Sequence, residues 1–72
     1  MREKLVYYNF QLYGRECAKR AMVKYGLPKA IANARQELGK YTNVPNIPEI
    51  RESWLKGYMD ILNKYKSMIE EI

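Results

Sequence analysis

Lys4, Tyr8, Gln11, Arg15, Lys19 and Met22 follow one another at intervals of three or four residues, so a helix would set them on one face. Cationic heads in such a row neutralise phosphates, and a tyrosine ring among them can stack on a base or sugar. Arg20, Lys24 and Lys29 lie close enough along the chain to widen the patch. The candidate nucleic-acid contacts are therefore Lys4, Tyr8, Gln11, Arg15, Lys19, Arg20, Lys24 and Lys29, although the same residues also suit a merely solvated helix face. A second constellation is Trp54, the only tryptophan, beside Gly57 and Tyr58. Trp54 and Tyr58 are candidate anchors in a protein partner's pocket, with Gly57 admitting another backbone. Equally, Trp54 sits on the apolar stripe of its own helix, where it would be core.

Nothing in the chain reads as catalytic machinery. The lone thiol, Cys17, falls between Tyr13 and Ala21 on an apolar stripe, and the sequence holds no histidine to act as its base. A single cysteine also excludes an intrachain disulfide and a four-cysteine zinc site. Glu16, Glu49, Glu52 and Asp60 suit helix pairing or capping, and there is neither a carboxylate cluster nor a glycine-rich phosphate loop. The expectation is a binder, not an enzyme, with no cofactor and no metal.

Seventy-two residues make one domain whose core is marginal, since a chain this short buries only about 60% of the surface it exposes when unfolded. A homodimer or another partner could complete that core. Apolar runs of two or three residues are far short of the roughly 20 that span a bilayer, and the N-terminus lacks a signal-peptide core. A soluble cytoplasmic protein, in a reducing compartment, is expected. The net charge of +5 is uneven: residues 1–40 hold nine Lys/Arg against three acids, and residues 41–72 four against five. A basic, tyrosine-bearing half suits phosphate-bearing partners.

The elements that must position these residues begin with an ambiguous stretch. LVYYNFQLYG (5–14) alternates as a strand would, with Val6, Tyr8, Phe10 and Leu12 on one face. At helical period it gives the stripe Val6, Phe10, Tyr13, Cys17 and Ala21. A strand would need a partner, and the only other extended candidate carries a proline, so helix is favoured even with Gly14 inside it at about 1 kcal/mol. Gly26-Leu27-Pro28 stops one helix and starts the next. Ile31, Ala34 and Leu38 line that second helix, Gly39 stops it, and KYTNVPNIP (40–48) is a loop. Asn46 and Glu49 read as a capping box for a last helix striped by Ile50, Trp54, Tyr58, Ile61, Tyr65, Ile69 and Ile72. A second line there comprises Leu55, Met59 and Leu62, and Glu52–Lys56 and Asp60–Lys64 are candidate i, i+4 pairs. The fold expected is all-α, a three-helix domain over about 3–25, 28–38 and 47–71. The alternative is a strand at 5–11 pairing across a dimer.

In that alternative, residues 4–41 resemble the ribbon-helix-helix family of dimeric DNA-binding repressors. Val6, Tyr8 and Phe10 would point inward, Tyr7, Asn9 and Gln11 outward, and GLPKA (26–30) would replace the family's Gly-x-Ser turn. The resemblance implies base contacts by Asn9 and Gln11, and departs at Arg15 and Asn33, where the family is apolar. Separately, RESWLKGY (51–58) is similar to the Arg-x-x-Trp-Leu-x-Gly-Trp stretch of ribosome modulation factor, with GRECA (14–18) similar to its earlier helix. It departs in a much longer insert and in Tyr58, and it implies binding to the small ribosomal subunit. The functional expectation is a non-catalytic basic regulator that binds DNA or structured RNA such as ribosomal RNA. The alternative is a small phage-type inhibitor or adaptor that blocks another macromolecule through Tyr/Trp-rich helix faces.

Overall fold

A computed structural model describes residues 2–70, with side chains from Leu5 to Ile69. It is all-α, as expected, with α1 (Arg2–Tyr25), α2 (Leu27–Ala32), α3 (Ala34–Lys40) and α4 (Pro48–Glu70), a loop over 41–47 and no strand among the described residues. Residues 5–11 belong to α1, so the strand alternative and the base contacts it gave Asn9 and Gln11 do not arise here.

Four helices replace the three expected, because the 28–38 segment breaks at Asn33. There the backbone relaxes to φ −103° and ψ 18°, outside the helical well. The Asn33 N–H still bonds the Lys29 carbonyl at 2.9 Å, and its own carbonyl accepts from the Glu37 N–H at 2.8 Å. These two bonds bracket the bend. Gly26, at φ 87°, makes the sharp turn out of α1, a conformation that costs a side-chain-bearing residue about 1–2 kcal/mol. Gly39 does not stop α3, which runs on to Lys40. The expected capping box is also absent. Pro48 opens α4, so Ile47 holds the capping position and its carbonyl takes the first helical bond from the Arg51 N–H at 3.0 Å. Asn46 lies one residue too early to cap. Neither Glu52–Lys56 nor Asp60–Lys64 closes as an ion pair.

The two long helices form an antiparallel pair, since Gln11 meets Gly57 while the later Gly14 meets the earlier Trp54. Their backbones touch at two glycines. A Cβ on Gly14 would collide with the Trp54 carbonyl oxygen and lie 2.9 Å from its carbon; one on Gly57 would collide with the Gln11 carbonyl oxygen and lie 2.8 Å from its carbon. This crossing joins the stretches 14–18 and 51–58. The interior glycine of α1, a cost to the isolated helix, is thus what lets α4 approach.

Small residues then meet large ones across the core. Cys17, Ala18 and Ala21 of α1, with Ala30 and Ala34 of α2 and α3, are buried together with Trp54, Tyr58 and Leu62 of α4. Rings follow one another from Tyr13 through Tyr41 and Trp54 to Tyr58, at centroid spacings of 5.7, 5.8 and 5.0 Å. Such pairs add about 0.5–1.5 kcal/mol each beyond area burial. The buried Tyr58 hydroxyl donates to the Ala30 carbonyl at 2.9 Å, tying α4 to α2. Of the stripe expected on α1, Phe10, Tyr13, Cys17 and Ala21 pack inward, but Val6 is 41% exposed. On α4, Ile50, Trp54, Tyr58 and Ile61 pack inward, Ile69 is 60% exposed, and Ile72 lies outside the described residues.

Candidate nucleic-acid interface

The charge is more concentrated than its division at residue 40 suggests. Residues 15–40 carry seven Lys/Arg against two acids, a net +5, while the remainder carries six against six. The whole net charge therefore resides in the second half of α1, in α2 and in α3. Both acids of this region are already engaged: Glu16 with Lys19 at 3.4 Å and Glu37 with Lys40 at 2.8 Å. Arg15, Arg20, Lys24, Lys29 and Arg35 make no ion pair among the described residues.

The candidate contacts divide between two flanks of α1. Five positions along a helix rotate by about 140°, so Arg20 cannot share a flank with Arg15. Tyr8, Gln11, Arg15 and Lys19 keep one side, where Tyr8 is 53% exposed and Lys19 is held by Glu16. On that side Gln11 is half-buried at the Gly57 crossing, and Arg15 is half-buried with Nε out of water and unbonded. Lys29 is exposed on α2, and the side chain of Lys4 lies outside the described residues. Arg20 and Lys24 face the other way, into a cleft of about 300 Å³ between α1 and α3.

Residues that the sequence did not single out complete this cleft. Ala21 and Tyr25 join Arg20 and Lys24 from α1, and Glu37, Lys40 and Tyr41 line the opposite wall. Lys40 Nζ donates to the Tyr25 hydroxyl at 3.0 Å and to Glu37 Oε1 at 2.8 Å. Its separation of 5.2 Å from the Tyr25 ring centre, taken with that hydroxyl bond, sets the ammonium at the hydroxyl edge and not above the ring face. The Lys24 ammonium lies at the same 5.2 Å. The hydrogen-bonded Lys40 ammonium, and then the nearby Lys24 ammonium, lower the Tyr25 hydroxyl below the usual tyrosine range. Glu37, and then Tyr25, hold the Lys40 ammonium well above the usual lysine range. Glu37 is itself buried, its side chain only 8% exposed, so its carboxylate is accessible chiefly to Lys40.

The aromatic candidates lie elsewhere. Trp54 and Tyr58 are both 0% exposed, so the folded chain offers neither to a partner's pocket, and the backbone that Gly57 admits is that of α1. Burial pushes the Tyr58 hydroxyl up to about 12. Tyr41 is likewise pushed up to about 12, by burial first and then by the neighbouring Cys17 thiol, which is buried. Among the described residues no group of three or more Cys, Asp or Glu could hold a metal ion, and no helix is long and apolar enough to cross a membrane. Compared with known protein families, curated proteins and solved structures, the chain shows no match.

Proposed function

We propose that this chain is a small, basic, non-catalytic nucleic-acid-binding regulator of the cytoplasm, contacting DNA or structured RNA through the second half of α1 together with α2 and α3. The supporting observation is the confinement of the entire +5 charge to residues 15–40, with five cations there that make no ion pair among the described residues. Such a surface gains affinity by displacing counterions from phosphates. The likeness of residues 14–18 and 51–58 to ribosome modulation factor inclines the choice toward ribosomal RNA.

If four of these cations each meet a duplex phosphate, the logarithm of affinity falls with the logarithm of salt at a slope of about −3 to −4. Fluorescence anisotropy with labelled duplex DNA and with a structured RNA, from low to moderate salt, measures it. No binding of either at low salt refutes the proposal.

A second proposal, of an inhibitor or adaptor, draws on exposed apolar residues near the N-terminal end of α1 and the C-terminal end of α4. Leu5 is 62% exposed, Tyr8 53%, Met68 52% and Ile69 60%. In that case the partner would be a protein, and binding would depend only weakly on salt.

A further inference from the structure

The cleft between α1 and α3 has an excess of donors over acceptors. Among the described residues Arg20 offers a guanidinium with no ion pair, Lys24 an ammonium with none, and Lys40 the donor capacity left after Tyr25 and Glu37. The Tyr25 hydroxyl accepts from Lys40, and no described residue accepts its own hydrogen, so that hydrogen is available to a ligand. The one carboxylate present, Glu37, is buried behind Lys40 and bonded to it, leaving two positive charges uncompensated at the cleft. A hydroxyl donor among cations, one of them held by Glu37, suits an oxyanion that accepts several charge-assisted hydrogen bonds at once.

We propose that this cleft binds a phosphate group, with Arg20, Lys24, Lys40 and the Tyr25 hydroxyl as its donors. The phosphate is a backbone phosphodiester when the ligand is nucleic acid, a source that rests on the proposed function. Tyr25 is in this view a phosphate ligand and not a stacking platform. The more exposed ring of Tyr8, on the other flank of α1, is the one left for stacking.

The test compares full-length wild type, R20Q/K24Q, Tyr25→Phe and, as a comparator on the other flank, R15Q/K19Q. Each is measured against labelled duplex DNA and structured RNA across a salt series, and against inorganic phosphate by amide chemical-shift perturbation. Expected for R20Q/K24Q is a slope flatter by about two than wild type. Tyr25→Phe should weaken binding several-fold with the slope unchanged, because it removes a donor and no charge. Free phosphate should shift amides around Tyr25 and Lys40 in wild type but not in R20Q/K24Q. Nucleic-acid binding with its slope unaltered in R20Q/K24Q overturns the cleft assignment and leaves the proposed function standing. Absence of nucleic-acid binding, with phosphate shifts that R20Q/K24Q abolishes, overturns the proposed function and upholds the cleft as an oxyanion site. Absence of both overturns both.

Discussion

Glycine-to-alanine exchange in a helix interior normally stabilises by about 1 kcal/mol, since alanine loses less backbone entropy on folding. At Gly14 the sign should reverse. The added methyl would collide with the Trp54 carbonyl oxygen while standing 2.9 Å from its carbon and 3.1 Å from the Tyr58 nitrogen. All three are backbone atoms of α4, so no rotamer change relieves the contact and the helices must separate. Overpacking of this kind costs about 1–3 kcal/mol or more, and here it also loosens the alanine-rich layer of Ala18 and Ala21. Set against the propensity gain, the net loss for Gly14→Ala should be about 0–2 kcal/mol or more, out of a total of roughly 4–11 kcal/mol for a chain of this length. Gly57→Ala should behave alike. Because both methyls prise apart one crossing, the double variant should cost less than the sum of the singles. Gly39, also in a helix but with nothing within 4 Å of its would-be Cβ, is the internal control, and alanine there should stabilise by up to about 1 kcal/mol. Urea unfolding followed by far-ultraviolet circular dichroism and Trp54 fluorescence reads all four variants. Gly14→Ala as stable as Gly39→Ala would refute the close crossing.

Trp54→Ala should cost about 3–5 kcal/mol and leave the chain largely unfolded at moderate temperature, because a fully buried ring at the centre of the aromatic run is deleted; a folded variant of near-native stability in a thermal melt would contradict this. Tyr58→Phe should cost about 1 kcal/mol at neutral pH through the lost bond to the Ala30 carbonyl. The Tyr58 hydroxyl holds its proton more tightly folded, to about 12, than unfolded, near 10, so its contribution is complete below pH 10 and is lost as pH rises through 12. The stability gap between wild type and Tyr58→Phe, read from urea midpoints, should therefore narrow from pH 9 to 12. A constant gap would count against it.

The parts of the fold legible in the sequence are those decided by neighbours in the chain. Gly26-Leu27-Pro28 marked the boundary of α1 and α2 because a positive φ and a proline in a first turn are local requirements. The helical state of residues 5–13 followed from the lack of any strand to pair with. The break at Asn33 was not legible, since its bend keeps the bonds to Lys29 and Glu37 and leaves alanine-rich sequence on both sides. Gly14 and Gly57 were visible singly, one as a helix cost and the other as a place for a backbone to approach. Their pairing spans 43 positions and depends on the register of α1 against α4, which periodicity alone does not set. At the site, Arg20 and Lys24 were found from charge and spacing. Tyr25, Glu37 and Lys40 were not, because the wall they form exists only once α3 folds back toward the end of α1; the one local signal was the Glu37–Lys40 spacing of three.

The same packing that hides the aromatic residues explains why the charge sits where it does. At the crossing, α1 and α4 turn their most intimate faces to each other, and Trp54 and Tyr58 are spent on the layer formed by Ala30, Ala34 and Tyr41. Neither long helix keeps a free aromatic face at its middle. Basic side chains cannot enter a core this thin, in a molecule with a shortest extent of 15 Å, without losing hydration that nothing repays. They collect instead along α1 beyond the crossing and on α2 and α3. There one buried carboxylate, Glu37, fixes one ammonium, Lys40, beside the Tyr25 hydroxyl. Held on one side by α1 and on the other by α3, with both helices packed on α4, the cleft lies along α1 beyond the glycine crossing.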